Sequence, residues 1–401
     1  MNRAEYVVAQ LVLRLLGLLF SLLRVHPDRV VLATARTPQL DGNLLHVYRA
    51  MRQQRADLDY VLLPEPYSYG LIGKIRYFLR LARGMYYLRT AALFVVDNAY
   101  LPVHVAPHPG TTVVQVWHAT GALKRFGLDA TVPPPGVEPR FLHRRYDYVV
   151  TTSEASRVPW SRALGTPVER VLPLGSPRTD FFFDQEAMAA ARARMLERYP
   201  SLVGRRVVVH APTFRGRGAA KHPAARLDAV RLRAALPDSY ALVLKCHPNL
   251  GGPGEPPDGY DVVMDATTEV NELFTVTDIL VTDYSSSIFE YALLRRPLVL
   301  LVGDLAEYER NPGLYLDYRT EMIGTQVDDT DGVIAAIVEE RFDLAPYDAF
   351  IDRHLGAPDG RASVRFVERF LPQLAERAAQ PEPSAGQRND PAVAVDRRLA
   401  P

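Results

Sequence analysis

This chain alternates between short apolar runs of strand length and longer segments in which apolar residues recur with helical periodicity. In the first half, apolar runs predict buried strands over residues 30–35, 60–64, 92–98, 111–117, 147–153 and 170–175. In the second half, similar runs cover residues 205–214, 240–248, 260–264, 279–282 and 298–302. Helical or loop segments separate successive strands, as in the parallel sheets of an α/β fold. Two such series predict two facing nucleotide-fold domains with a cleft between them.

The length of 401 residues suits two domains of ordinary size. We expect residues 28–180 to form the first domain and residues 181–379 to form the second. Residues 1–27 are predicted to form an amphipathic helix that precedes both. The last segment, residues 380–401, is rich in proline and polar residues, and we expect it to be disordered.

The N-terminal helix, predicted over residues 4–25, carries one polar stripe on an otherwise apolar surface. Its polar and small residues recur at steps that place them on one helical face: Arg3, Gln10, Arg14, Gly17, Ser21 and Arg24. A membrane-spanning helix would need about 20 apolar residues without such a charged stripe. We therefore expect this helix to lie on a membrane surface. Packing against another helix, within the protein or in a dimer, is the alternative.

A second segment, residues 72–90, is basic and contains no acidic residue. Near an anionic surface each exposed cation contributes about 1 kcal/mol to attachment. The candidate membrane contacts of the two segments are Arg14, Arg24, Lys74, Arg76, Arg80 and Arg83. A solvated basic face is the alternative interpretation. Nucleic acid is disfavoured as the partner, because no base-stacking module is recognisable.

Charge, cysteine content and the N-terminal segment indicate the cellular compartment of the protein. The formal net charge is +1, so no global field directs the chain toward nucleic acid. The single cysteine, Cys246, allows neither an internal disulfide nor a cysteine metal cluster, and a reducing cytosol fits. The N-terminal apolar region lacks the small-residue cleavage site of a signal peptide. Together with the amphipathic helix, these features predict a peripheral protein on the cytoplasmic face of the cell membrane.

Candidate chemistry follows the predicted strands, at the edge where ligands bind in such sheets. The residues at or just after the ends of five strands include histidines, cations and hydroxyls, and the full set is His118, Arg178, Pro212, Thr213, Arg215, Lys245, His247, Ser285 and Ser286. The serines also precede a predicted helix at residues 288–294, whose N-terminus favours a phosphate. Helix capping without any ligand is the alternative for them.

This set of side chains suits an anionic diphosphate and a proton transfer. A metal hydrolase is disfavoured, because His118 and His247 come from different halves and have no partner at ligand spacing. Dependence on a divalent metal stays open. The chain contains no GxGxxG, no GxxxxGK[ST] and no G-x-S-x-G, which argues against dinucleotide, P-loop and serine-hydrolase chemistry.

The strand ends lie in motifs that resemble one known family, the CDP-glycerol glycerophosphotransferases, which are teichoic-acid primases and polymerases. The matching motifs, which fall within residues 112–365, are QVWHATGALKRFG, LGSPRTD, APTFR, LVLKCHP, LVTDYSSSIFEYALLRRP, NPGLYLDY and DGRAS. The resemblance implies a GT-B-type fold of two Rossmann-like domains, attached to a membrane surface. It also implies transfer of glycerol phosphate from CDP-glycerol to a lipid-linked acceptor, with release of CMP and without a bound cofactor.

Carried over by motif position, the resemblance implies that His118 and His247 are catalytic. It implies substrate contacts at Thr120, Lys124, Arg178, Pro212, Thr213, Arg215, Lys245, Asp283, Ser285, Ser286 and Glu290. Histidine can accept a proton near neutral pH. We expect His118, on the acceptor side, to be the general base. We expect His247, beside Lys245, to contact the diphosphate and stabilise the leaving group. The reverse assignment of the two histidines stays open.

One motif departs from the pattern of many family polymerases, which have WHGTPLK where this chain has WHATGALK. This form is more similar to the shorter, primase-like members. The sequence leaves open primase against polymerase, glycerol against ribitol phosphate, the acceptor and the oligomeric state. Two other functions remain as alternatives: a GT-B glycosyltransferase that uses a nucleotide sugar, and a catalytically silent membrane-bound scaffold.

Overall fold

Two parallel sheets organise the chain. The computed structural model describes residues 3–66, 70–130, 143–215, 222–223, 227–246, 257–264 and 267–379. Within these residues the chain forms two six-stranded sheets, and every neighbouring pair of strands in them is parallel. The predicted α/β class is therefore confirmed. The segment predicted to be disordered, residues 380–401, lies outside the described residues.

The first sheet comes from the first half of the chain, in the strand order β2-β1-β3-β4-β5-β6. Its strands are β1 (His26–Thr34), β2 (Asp59–Pro64), β3 (Ala91–Val96), β4 (Thr112–Gln115), β5 (Tyr148–Val150) and β6 (Val171–Leu172). The helices of this half are α1 (Arg3–Phe20), α2 (Gly42–Gln54), α3 (Gly70–Thr90), α4 (Leu101–Val105) and α5 (Glu154–Leu164).

The second sheet has the strand order β11-β10-β7-β12-β13-β14, and a separate antiparallel pair is formed by β8 and β9. The strands of this half are β7 (Arg206–Ala211), β8 (Phe214–Arg215), β9 (His222–Pro223), β10 (Tyr240–Lys245), β11 (Val262–Met264), β12 (Ile279–Thr282), β13 (Leu298–Leu301) and β14 (Thr325–Val327). Its helices are α6 (Gln185–Arg198), α7 (Ala229–Ala235), α8 (Val270–Phe274), α9 (Ser287–Ala292), α10 (Leu305–Arg310), α11 (Tyr318–Glu321), α12 (Thr330–Val338), α13 (Tyr347–Leu355) and α14 (Ala362–Ala379). The short edge strand β14 is only half-buried and has no apolar run that would predict it.

The last helix, α14, packs on the first sheet rather than the second. Its residues Phe366, Val367 and Phe370 share a core with Val30 and Leu32 of β1. Chain order alone places this helix in the second domain, within residues 181–379. The spatial unit around the first sheet is therefore completed by a helix from the end of the described chain.

Helix α1 packs on the first unit through a face of aromatic, small and polar residues. Tyr6, Ala9, Gln10 and Leu13 are buried along it. A Cβ atom on Gly17 would lie 3.1 Å from Cβ of Ala106 and 3.2 Å from the Met85 sulfur, so glycine allows close approach to the residue after α4 and to α3.

The burial of α1 changes the interpretation of its polar stripe. Gln10 and Gly17, two members of the stripe, face the protein, and Arg14 donates from Nε to the carbonyl of Val105 at 3.2 Å. Leu15 and Leu18 of the helix, and Leu22 just after it, point outward instead and are 66%, 70% and 76% exposed. No helix in the described part of the chain is both long and apolar enough to cross a bilayer.

Main-chain hydrogen bonds join the two units beside the cleft. The amide of Tyr315 donates to the carbonyl of Leu123 at 2.9 Å, and the amide of Arg125 donates to the carbonyl of Gly313 at 3.0 Å. The side chain of Arg125 adds a bond from Nε to the carbonyl of Leu314 at 3.2 Å. The loop after β4 is thus fixed to the second unit.

Gly121 in the same loop approaches α9 closely. Its φ is +69°, and a Cβ atom there would lie 2.8 Å from ring atoms of Phe289. Phe289 stacks in turn on Phe350 of α13, with ring centroids 5.4 Å apart. A side chain at Gly121 would therefore displace a packed aromatic pair.

Substitution of Gly121 should cost more stability than its backbone conformation explains. Gly204 is the matched control, because its φ is +76° and nothing lies within 4 Å of its Cβ position. Gly204→Ala should cost about 1–2 kcal/mol of unfolding free energy for the left-handed backbone. Gly121→Ala should cost about 1–3 kcal/mol more, because of overpacking. Urea unfolding of both variants measures the difference, and equal losses would contradict the close contact.

Candidate active site

The carboxyl ends of both sheets meet in one cleft. The first sheet contributes Arg36 after β1, Asp97 after β3 and His118 after β4. The second sheet contributes Lys245, the last residue of β10, and residues after the neighbouring strands β7 and β12, which are Pro212, Thr213, Ser285 and Ser286. The strand-end rule therefore brings together the predicted residues of each half.

His118 is held as a neutral imidazole with a defined orientation. Its Nδ1 lies 3.2 Å from the backbone carbonyl of Asp97, so Nδ1 carries the proton that bonds to this carbonyl. The lone pair is then on Nε2. Burial, followed by the positive charge of Arg36, lowers the pKa of His118 to about 3. The imidazole is therefore uncharged at physiological pH and can accept a proton.

Arg36 and Asp97 are cleft residues that the sequence did not identify. Nη1 of Arg36 lies 3.2 Å from Oδ2 of Asp97 and 3.7 Å from Oδ1 of Asp41. Burial raises the pKa of Asp97 to about 6, against the opposing effect of Arg36. The sequence contained a signal for both, because Arg36 directly follows the predicted strand 30–35 and Asp97 lies at the end of the predicted strand 92–98.

Arg178 links the two units across the cleft. Its Nη1 donates to the carbonyl of His118 at 3.1 Å, and its Nη2 donates to Glu269 at 3.2 Å. Its Nε lies 3.3 Å from Oε1 of Glu290 in α9. Thr120 donates to the same Glu290 oxygen at 2.8 Å. Burial raises the pKa of Glu290, and the nearby Arg178 opposes that shift.

Two of the predicted substrate contacts are thus enclosed by protein. Thr120 is 0% exposed and Glu290 is 2% exposed. In this conformation their side chains bond to each other and join the units. Their assignment to the substrate stays a prediction from the resemblance.

In the second unit, the loop after β12 carries serine hydroxyls and is fixed in place by Asp283. Asp283 accepts hydrogen bonds from the amide and the hydroxyl of Thr213, at 3.0 and 2.8 Å, and so fixes the loop after β7 to the end of β12. The half-buried Ser285 lies 2.8 Å from Ser287, hydroxyl to hydroxyl. Lys245 is buried and donates to the carbonyl of Cys246 at 3.1 Å. Asp283 therefore orients the loop, while the serines remain accessible.

Of the remaining predicted residues, one has a described side chain and two do not. Lys124 is half-buried where the two units meet, with Nζ 5.9 Å from the ring centroid of Tyr308. His247 and the side chain of Arg215 lie outside the described residues. Among the residues with described positions, no group of three or more His, Cys, Asp or Glu side chains could hold a metal ion.

Other buried histidines share the low proton affinity of His118. Burial lowers the pKa of His46, His104 and His210 to about 4 and that of His143 to about 3. An unfolded histidine has a pKa of about 6.5. Between these values the unfolded chain binds more protons, so each histidine removes stability as the pH falls. The carboxyls whose pKa values are raised oppose this effect, but they are fewer: Glu65, Asp97 and Glu290.

The free energy of unfolding should therefore decline from about pH 6.5 toward pH 4. The variant His210→Asn should make the decline shallower by about 1.4 kcal/mol per pH unit, because one buried neutral imidazole is removed. Urea unfolding at pH 7, 6 and 5 gives both slopes. A variant with the wild-type slope would show that His210 does not titrate as its burial indicates.

Comparison with known proteins supports the resemblance. Residues 16–371 match the family described as CDP-Glycerol:Poly(glycerophosphate) glycerophosphotransferase. The teichoic acid ribitol-phosphate primase of Bacillus spizizenii is 33% identical over 368 residues, or 88% of this chain and 94% of that protein. The poly(ribitol-phosphate) polymerase of the same organism is also 33% identical, but the chain spans only 57% of its length. The teichoic acid glycerol-phosphate primase of Bacillus subtilis is 26% identical, over 73% of this chain and 77% of that protein.

Among solved structures, the wall teichoic acid polymerase TagF has the same fold. It superposes with a TM-score of 0.73 at 23% identity, covering 91% of this chain and 94% of that one. The predicted GT-B-type arrangement of two Rossmann-like units is thereby confirmed.

Proposed function

The chain belongs to the CDP-glycerol:poly(glycerophosphate) glycerophosphotransferase family, and on that basis we propose that it transfers a polyol phosphate from a CDP-activated polyol to a hydroxyl of a lipid-linked acceptor. The observation that carries the proposal is the neutral, oriented His118, whose loop contacts α9, the helix that follows Ser285 and Ser286, through Thr120 and Glu290. This arrangement offers a base on one side and a phosphate site on the other.

The reaction needs one proton acceptor and positive charge near the phosphates. The acceptor oxygen attacks the β-phosphorus of the donor and forms a new P–O bond, while the bond to CMP breaks. Nε2 of His118 takes the proton of the attacking hydroxyl. CMP leaves with the bonding electrons, and Lys245 supplies positive charge near the diphosphate. His247 keeps its predicted contact with the leaving group.

The low proton affinity of His118 connects its activity to substrate binding. After burial, the positive charges of Arg36, Arg178 and Lys124 lower its pKa. An anionic diphosphate in the cleft offsets these cations and favours the protonated imidazole. His118 therefore becomes a stronger base when the donor is present.

Similarity to the relatives supports one choice of polyol as the first candidate. The sequence motifs implied glycerol phosphate, but the ribitol-phosphate primase is more similar to this chain than the glycerol-phosphate primase is, at 33% against 26% identity. We therefore place CDP-ribitol first and CDP-glycerol second. The motif WHATGALK, which resembles that of the primase-like members, favours addition of a first unit over polymerisation.

Membrane attachment is proposed on the outer surface of the first unit. Beside the exposed leucines of α1, helix α3 exposes Ile72, Ile75 and Leu79 together with Arg76 and Arg83. Apolar residues interleaved with arginines suit an anionic bilayer surface, where the charged groups reach the headgroups.

The exposed start of α3 lies near the cleft. This helix begins at Gly70, soon after the carboxyl end of β2, and ends at Thr90, directly before β3. Its apolar residues at the start are therefore beside the edge of the sheet that carries His118. A membrane-borne acceptor could reach the base from this side.

The reaction can be tested directly with purified protein. Incubation with CDP-ribitol, CDP-glycerol or UDP-sugars and a lipid-linked acceptor should add the mass of one polyol phosphate and release CMP. His118→Asn should lower kcat by about 10²–10⁴-fold while the donor still binds in calorimetry. His108→Asn is the control, since this buried histidine lies at the opposite end of β4. Turnover of a UDP-sugar alone would favour a glycosyltransferase. If no donor is turned over, a silent scaffold would be favoured.

Membrane binding should depend on the exposed leucines. The triple variant Leu15→Glu, Leu18→Glu and Leu22→Glu removes apolar contact and adds negative charge without touching the buried face of α1. It should release the protein from liposomes that contain anionic phospholipid, measured by co-sedimentation.

The control for this experiment replaces three exposed valines of the second half by glutamate: Val203, Val230 and Val338. It adds the same charge and should leave co-sedimentation close to wild type. Release by both triple variants would show that net charge, rather than the α1 surface, determines binding.

A further inference from the structure

One buried carboxamide connects the segments that carry His118 and Arg178. Asn43, the second residue of α2, is 3% exposed. Its Nδ2 donates to the carbonyls of Val116 and Trp117, at 3.0 and 2.9 Å. Its Oδ1 accepts from the hydroxyl of Ser176 at 2.9 Å and from the amide of Arg178 at 3.0 Å. The group thus uses both of its donors and both of its acceptor positions.

These bonds do not serve the helix that contains Asn43. All four partners lie 73 to 135 positions away in the sequence. Asp41 occupies the cap position of α2, and its side chain makes no capping bond. Asn43 therefore acts between distant segments, at the carboxyl edge of the first sheet.

The first of these segments is a strained turn. Trp117 has a φ of +50°, a left-handed conformation that is rare for a bulky residue. Its amide donates to Oε1 of Gln115 at 2.8 Å, and its carbonyl accepts from Asn43. The turn directs the next residue, His118, away from the strand and toward the carbonyl of Asp97.

The second segment follows β6 and returns to the first. The backbone amide of Arg178 is held by Oδ1 of Asn43, and the Arg178 side chain donates to the carbonyl of His118 at 3.1 Å. Asn43, Trp117, His118 and Arg178 therefore form a closed ring of covalent and hydrogen bonds. Movement of one segment alone would break bonds to Asn43.

We propose that Asn43 is a positioning residue, which fixes the imidazole of His118 relative to the guanidinium of Arg178 through its single carboxamide. It touches neither substrate nor reacting atoms, because it is buried behind both segments. The effect on turnover rests on the proposed function of His118, whereas the geometric role does not.

Two variants separate the two sides of the carboxamide. Asn43→Asp keeps the oxygen that accepts from Ser176 and Arg178, but it loses both N–H donors to the Trp117 turn. It should lower kcat by about 10²-fold, the order of loss that a misplacement of about 1 Å can cause, and leave the donor dissociation constant near wild type. Asn43→Ala loses all four bonds and should both lower kcat and weaken donor binding.

Thr111→Val provides a matched control for lost stability. The buried hydroxyl of Thr111 lies 2.8 Å from the carbonyls of both Leu88 and Ala91, which share its single proton, at the opposite end of β4. This variant also leaves two carbonyls of the same unit without a side-chain donor, so its melting temperature should fall, whereas its kcat should not.

Chemical labelling tests the geometry without any turnover. Diethyl pyrocarbonate acylates accessible neutral histidines, and mass spectrometry of peptides reports the rate at each site. Both Asn43 variants should raise the rate at His118 and leave the rate at His108 unchanged. If wild-type protein turns over no donor, the proposed function fails, yet this rate still decides the role of Asn43. Wild-type labelling at His118, with kcat no lower than in Thr111→Val, would overturn the inference.

Discussion

A buried arginine holds the two halves of this protein together at the cleft. The guanidinium of Arg178 contacts the carbonyl of His118, Glu269 and Glu290, and its side chain is only 13% exposed. A charge removed from water needs such partners, because an unpaired buried ion is strongly destabilising. The loop after β6, the turn before His118 and helix α9 must therefore keep one arrangement. The main-chain bonds of Leu123 and Arg125 to the second unit support the same geometry.

The sequence predicted the two sheets well, because each buried parallel strand is a nearly continuous apolar run. The strand-end rule also located His118, Arg178, Lys245 and Ser285, since all parallel strands of a sheet end at the same edge. It could not show that Thr120 and Glu290 bond to each other, because they lie 170 positions apart and meet only across the domains. The contacts of Asn43 could not be predicted for the same reason, because a single asparagine in a helical pattern does not reveal distant partners.

The orientation of α1 illustrates a different limit. A helical wheel distinguishes two faces, but it does not tell which of them the protein covers. The buried face includes Gln10 and Gly17, because a small residue permits close helix packing and Gln10 is accommodated inside the unit. The leucine face stays outside and lies on the same side of the first sheet as α3. This exposed surface is the one on which membrane attachment is proposed.

The return of α14 to the first sheet affects how the chain folds during synthesis. Val30 and Leu32 leave the ribosome long before Phe366 and Phe370, which cover them, have been synthesised. One apolar face of the first sheet therefore stays uncovered until α14 has been synthesised. Domains usually fold as independent units in order of synthesis. Here the N-terminal unit depends on the C-terminal helix, so an incomplete chain exposes an apolar surface that chaperones or proteases can recognise.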